Sequence, residues 1–257
     1  MKEIELYDRA KAYLLSFEPV TEEMLERQIQ EWETKKPSSI KDLFKAFLHH
    51  AQNRQGMPNS IGEIEELSSI LFEFDHIAVV ENYGNWEAIF DAIFESEYSP
   101  PGRMVKGNKK SHWVVYCKAI ASISMFLARY RSLEEFQDFV DGFLTNEQSK
   151  LALPLLLSEE IFGFGFALAC DFLKENVSPY FIKPDTHINE IAREVGITKS
   201  TQSYQIFKDV QLYCSNIGVL PYHVDKVFWL VGSGNFYLSN VRVRSSRQEF
   251  LASLRTG

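Results

Sequence analysis

Cysteine is scarce in this chain. There are three, Cys117, Cys170 and Cys214, far apart and outside any Cys-x-x-Cys or Cys/His spacing. That argues against a zinc or iron–sulfur site and for buried free thiols in a reducing compartment. No apolar run approaches the ~18 residues of a membrane helix. The opening MKEIELYDRAKAYLL is broken by charges throughout, unlike a signal peptide. These absences lead to the expectation of a soluble, cytoplasmic protein. Low-complexity tracts and internal repeats are missing, and strand-like alternation is confined to NFYLSNVRVRS (235–245). Positive charge is short as well: 27 Lys and Arg stand against 35 Asp and Glu, a net charge of −8. That deficit argues mildly against a nucleic-acid partner, but it is uneven. Residues 1–100 hold 9 basic against 20 acidic side chains, net −11, whereas 101–257 hold 18 against 15, net +3. A face that grips a phosphate backbone needs local rather than global positive charge. The acidic first part reads as solvated helix surface.

What is abundant is apolar: 45% of the 257 residues are hydrophobic, and twenty phenylalanines imply a thick core. The length suits one large domain or two small ones sharing a cleft. Apolar residues recur at helical spacing from Glu3 to Phe17, ahead of Pro19. Thr21 reads as an N-cap, and Ser38-Ser39 as the cap of IKDLFKAFLHHAQNR, whose Ile40, Leu43, Phe44, Phe47 and Leu48 form one stripe. Gly56-Met57-Pro58-Asn59-Ser60 reads as a turn, Ile61 to Phe74 as a further helix, and Asn85 as the cap of WEAIFDAIFESEY. The basic stretch GRMVKGNKKSH (102–112) precedes the helical WVVYCKAIASISMFLARY, and Ser132 with Glu135 makes a capping-box pattern. Three more helical segments follow Asp185: INEIAREVGI, YQIFKDVQLYCSNIGV and VDKVFWLVGSG. The expected class is all-α.

The most specific stretch is 161–187, IFGFGFALACDFLKENVSPYFIKPDTH. Phe162-Gly163-Phe164-Gly165 opens an apolar helix over Phe166–Leu173, and Asp185 follows Pro184 twenty residues after Gly165. Glycines let a turn come close to a phosphate, whose oxygens the N–H groups of the turn and helix start can bind. Phe162 and Phe164 are expected to pin that turn into the core. Each half has a plainer reading, a tight turn and an Asp N-cap; the combination at this spacing is more specific than either.

In order and spacing the stretch resembles the helix-hairpin-helix-GPD superfamily of DNA glycosylases. In its endonuclease III-like members the hairpin reads Leu-Pro-Gly-Val-Gly-Arg-Lys-Thr-Ala, and an Asp-Thr-His triplet follows. Here the hairpin aligns as Ile161 to Ala169. Asp185, in Pro184-Asp185-Thr186-His187, lies eighteen residues past Ala167, the interval that separates the family's Lys and Asp. The resemblance implies an all-α fold with two helical subdomains flanking a DNA-binding cleft. One, 38–178, is a helical barrel holding the helix-hairpin-helix at 155–174; the other, 1–37 with 179–257, carries the acid. It implies Asp185 as the catalytic carboxylate and Gly163 and Gly165 as phosphate-binding positions. The family's nucleophilic Lys falls on Ala167, whose methyl group forms no Schiff base. Lys183 is discounted as a substitute amine, because Pro184 directs it along the loop. The expected enzyme is therefore monofunctional: it leaves an abasic site without cutting the strand. Only Cys214 lies where many members carry four cysteines, so no iron–sulfur cluster, metal or other cofactor is expected. The stretch 227–237 stands in for the helix that precedes that cluster.

Ala51-Gln52 resembles the family's Ala-Gln, whose Gln fills the gap left by an extruded base. Gln52, Arg54, Lys109 and Lys110 are candidate DNA contacts, with Arg103, Lys106, Arg242, Arg244 and Arg247 as further cations. His50, Asn53 and Trp113 are candidate walls of the base pocket, with His49 and Tyr116 beside them. The expected partner is double-stranded DNA containing a modified base, bound by a monomer, with no membrane involved. Two alternatives stay open. A glycosylase fold that binds modified DNA without cutting it fits Ala167 and the acidic balance. A helical protein whose hairpin only packs, and whose partner is another protein, is the other.

Overall fold

Polar side chains start most helices of this protein. The computed structural model describes residues 3–34, 36–53 and 56–256. After α1 (Glu3–Leu15), Thr21 accepts the Met24 N–H at the start of α2 (Glu22–Ile29). Ser39 caps α3 (Ile40–Gln52), and α4 (Pro58–Ile61) is one turn with Pro58 at its first position. Asp75 caps α5 (His76–Tyr83) and Asn85 caps α6 (Trp86–Glu95). α7 (His112–Leu127) begins without a side-chain cap, Ser132 caps α8 (Leu133–Leu144), and Asn146 caps α9 (Glu147–Glu160). α10 (Phe166–Asn176) precedes α11 (Thr186–Glu194), capped by Asp185. α12 (Ser203–Ile217), α13 (Pro221–Ser233) and α14 (Arg247–Thr256) follow. Each cap satisfies N–H groups that no helical carbonyl reaches and contributes about 1 kcal/mol. The fold is all-α. The alternation at 235–245 makes only a two-residue antiparallel pair, β1 (Asn235–Phe236) with β2 (Val241–Arg242), Asn235 opposite Arg242.

The helix expected from Ile61 to Phe74 does not form. α4 ends at Ile61, one 3-10 turn covers Ile64–Leu67, and Phe72, Glu73 and Phe74 take left-handed φ of 51–58°. Ile61, Ile64, Leu67, Leu71 and Phe74 are nevertheless all buried. Apolar spacing of three and four residues is met here by short turns, each anchored separately, rather than by one helix.

By internal packing the chain divides into two compact units, Pro37–Phe172 and Met1–Lys36 with Leu173–Gly257, the division falling within α10. In the first, α7 is the central element, packed by α3, α4, α5 and α6. Trp113, Tyr116, Ile120, Ile123 and Phe126 are fully buried along it or nearly so. Phe47 of α3 stacks on Phe172 at 3.6 Å between centroids, and Phe126, Phe136 and Phe164 surround it within 6.3 Å. In the second unit α13 is central, packed by α1, α2, α11, α12 and α14. Val224, Val227, Phe228, Leu230 and Val231 bury it nearly all round, as expected of a helix apolar on every face. No helix among the described residues is long and apolar enough to cross a membrane.

Candidate functional site

The turn between α9 and α10 is built from its ends inward. Glu160, the last residue of α9, is forked by Arg129. Ile161 and Phe164 are buried, and the Phe164 N–H returns to the Ile161 carbonyl at 3.1 Å. Gly163 sits at φ +80°, where a side chain would be strained. Phe162 departs from expectation: it is 46% exposed rather than pinned in the core. In extended backbone Phe162 and Phe164 would share a face; the left-handed Gly163 between them breaks that alternation and turns Phe162 outward. Its N–H donates to Ser122 Oγ at 2.9 Å, and Lys118 Nζ lies 5.2 Å from its ring and 5.0 Å from that of Trp86. Gly163 and Gly165 are exposed, and no acceptor among the described residues takes either N–H. A Cβ on Gly165 would meet nothing within 4 Å. Two donors with no acceptor among the described residues thus stand just ahead of a helix N-terminus, whose partial positive charge favours anions.

Asp185 ends a loop that is tied at several points. Phe181 and Ile182 are fully buried anchors. Tyr222 N–H donates to the Pro179 carbonyl at 3.0 Å, Gln211 Nε2 to that of Tyr180 at 2.7 Å, and Asn189 Nδ2 to that of Pro184 at 3.1 Å. Lys183 N–H donates to Asp225 Oδ2 at 2.8 Å. Asp185 Oδ1 accepts the Ile188 N–H at 3.0 Å, and no hydrogen bond among the described residues occupies Oδ2. Two residues on, His187 Nδ1 lies 3.0 Å from Arg247 Nη1, and Arg247 Nη2 pairs with Glu190 at 2.7 Å. A guanidinium can only donate, so the neutral His187 ring carries its proton on Nε2. Burial holds the His187 pKa below its ordinary value; Asp185 opposes that shift and Arg247 reinforces it. Gly232 of α13 makes room for the ring, since a Cβ there would fall 1.9 Å from Nδ1.

Behind this loop runs a chain of buried charges that sequence reasoning missed. Lys174 Nζ bridges Asp225 at 2.7 Å and Glu175 at 2.9 Å; Lys226 Nζ bridges Glu175 at 3.0 Å and Glu31 at 3.2 Å. Burial pushes the Asp225 carboxyl up, and Lys174 opposes it. Burial would also raise Glu175, but the ammonium groups of Lys174 and Lys226 hold it well below the usual carboxylate range. The signal was visible as charge inside apolar runs, Asp225-Lys226 in VDKVFWLV and Lys174-Glu175 in DFLKEN. A buried charge needs a partner.

Two sequence-predicted residues change role. Gln52 is 8% exposed and donates to the Gly62 carbonyl, so it braces a turn and does not reach outward. Trp113 is wholly buried, its Nε1 on the Gly102 carbonyl at 3.2 Å, and is a core residue rather than a pocket wall. Tyr116 is buried too, bonding the Leu48 carbonyl at 3.4 Å. All three are polar groups on apolar faces whose partners are backbone carbonyls. His50 is mostly buried, Nδ1 2.9 Å from the Ala46 carbonyl and Nε2 3.9 Å from Asp171. Asn53, Lys109, Lys110, Arg103, Arg242 and Arg244 are exposed. His49 pairs with Glu65 and Lys106 with Asp91. Arg54 lies outside the described residues. His50, Asn53, Gly163 and Gly165 belong to the unit Pro37–Phe172; Asp185, His187 and Asp225 belong to the other. No protein-family model, curated protein or solved structure matches the chain.

Proposed function

We propose that this protein is a monofunctional DNA glycosylase that hydrolyses the N-glycosidic bond of a modified base flipped out of double-stranded DNA, with Asp185 as the catalytic carboxylate. The observation that carries the reading is the state of Asp185. One oxygen is committed to the helix cap, the other takes no hydrogen bond among the described residues, and the loop behind is held at several points. An extruded nucleotide is needed because the bond to be broken is inaccessible in the stack. As the base leaves with the bonding electrons, positive charge develops on the sugar. A fixed carboxylate stabilises that charge and accepts a proton from the water that attacks the anomeric carbon. Ala167 supplies no amine, so the strand stays intact and an abasic site results. The Gly163 and Gly165 amides take a backbone phosphate, helped by Lys109 and Lys110. The protein acts as a monomer and uses water as its only co-reactant.

The test is a panel of duplexes carrying different modified bases, incubated with protein and then treated with hot alkali. At least one duplex should show alkali-dependent cleavage at the modified position. Salt-sensitive duplex binding with no base release from any substrate would instead make the protein a non-catalytic reader of DNA. Strand cleavage before alkali would overturn the monofunctional assignment.

A further inference from the structure

We infer that Asp225 is a positioning residue for Asp185: it holds the loop that presents the catalytic carboxylate, acting through the Lys183 N–H and secured by Lys174. The inference rests on the glycosylase reading for its consequence in rate, but not for the geometry. Asp225 is 3% exposed, and both of its oxygens are committed, Oδ2 to Lys183 N–H at 2.8 Å and Oδ1 to Lys174 Nζ at 2.7 Å. Between Lys183 and Asp185 stands only Pro184, whose ring fixes φ. The Asp185 N–H closes back on the Lys183 carbonyl at 2.8 Å. Holding the Lys183 amide therefore leaves few free torsions before Asp185. The same helix meets the chain on the other side of Asp185. Gly232, seven residues and two turns after Asp225, lies on the same face of α13 and receives the His187 ring. One face of α13 thus sets the chain two residues before the carboxylate and two residues after it.

The charge on Asp225 points to placement rather than stability. Burying an ion pair is no better for stability than a well-packed apolar pair, whereas removing one partner alone is strongly destabilising. A charge-assisted hydrogen bond is short and directional, which suits a loop whose displacement by about 1 Å would slow a reaction about 100-fold.

Two variants test this: Asp225→Asn, which keeps the shape, and the double variant Lys174→Met with Asp225→Leu, which removes both charges and keeps the fold should the single change destabilise it. The first readout is hydrogen exchange at the Lys183 amide in the free protein. Wild type should be protected, and both variants should exchange about tenfold faster or more. The second is single-turnover base release from a duplex that wild type cleaves. The double variant should keep its duplex affinity while its rate constant falls about 100-fold. A purely structural role would lower the active fraction, hence the amplitude, and leave the rate constant unmoved. Unchanged Lys183 exchange in both variants, or a wild-type rate constant in the double variant, overturns the inference. If wild type releases no base, the glycosylase reading fails by itself, and the Lys183 exchange alone decides whether Asp225 holds the loop.

Discussion

Asp185 carries two roles that a single substitution can separate. As an N-cap it needs one side-chain oxygen for the Ile188 N–H; as the proposed catalytic group it needs a negative charge. Asn caps as well as Asp, whereas Ala does not cap. Asp185→Asn should therefore keep wild-type thermal stability and duplex binding while base release falls about 10²–10⁴-fold. Asp185→Ala should lose the activity and, in addition, about 1 kcal/mol of stability, read from denaturant midpoints. Near wild-type base release by the Asn variant would remove Asp185 from the mechanism. Gly232 is a second residue with a sharp expectation. An alanine methyl would collide with His187, forcing the ring off Arg247, so Gly232→Ala should cost about 1–3 kcal/mol. A stability equal to wild type would show that His187 shifts freely.

At the scale of elements, the two glycines of the turn between α9 and α10 are of different kinds. Gly163 is there for its φ of +80°, and Gly165 is not in the left-handed region and has open space where a Cβ would point. Gly163→Ala should lower stability by about 1–2 kcal/mol. Gly165→Ala should leave stability unchanged and weaken duplex binding about tenfold, by keeping a phosphate off the amide. Equal loss of stability in both, or undiminished binding by Gly165→Ala, would argue that the turn only packs. The elements themselves were largely legible. Thr21, Ser39, Asn85 and Ser132 act as the caps their spacing predicted, because a cap is decided within three residues. Two local readings failed where backbone conformation overrides periodicity, in the left-handed run Phe72–Phe74 and in the outward turn of Phe162. Lys174 and Asp225 were out of reach for another reason. They are 51 residues apart, and an ion pair between two helices leaves no local pattern beyond two charges in apolar surroundings. Gln52 and Trp113 looked like surface and pocket because a polar group on a helix end is the same in sequence whether it meets solvent or a carbonyl.

Across the whole molecule, the histidines set how it responds to acid. His76, on α5, is buried against Phe44, and His187 and His223 lie in the other unit. Burial is the first cause that lowers all three, partly opposed by Asp75 at His76 and by Glu26 at His223. A histidine titrating lower in the folded state than in the unfolded chain costs nothing while both are neutral. Below about pH 6.5 the unfolded chain binds protons that the folded protein resists, so stability is full above that pH and is lost as pH falls toward the folded values. Glu175 has the same sign but a lower window, since its contribution begins to fail as pH falls into the ordinary carboxylate range and is lost progressively below it. Asp225, raised by burial, works the other way, as one group against these four. The thermal midpoint should therefore hold steady from pH 8 to 7 and drop by several degrees between pH 6.5 and 5, in a window too high for carboxylates. His76→Phe should flatten part of that drop, because it removes one group the acidified fold must keep neutral. A midpoint unchanged down to pH 5 would mean that these rings take up protons in place, and that burial does not hold them neutral.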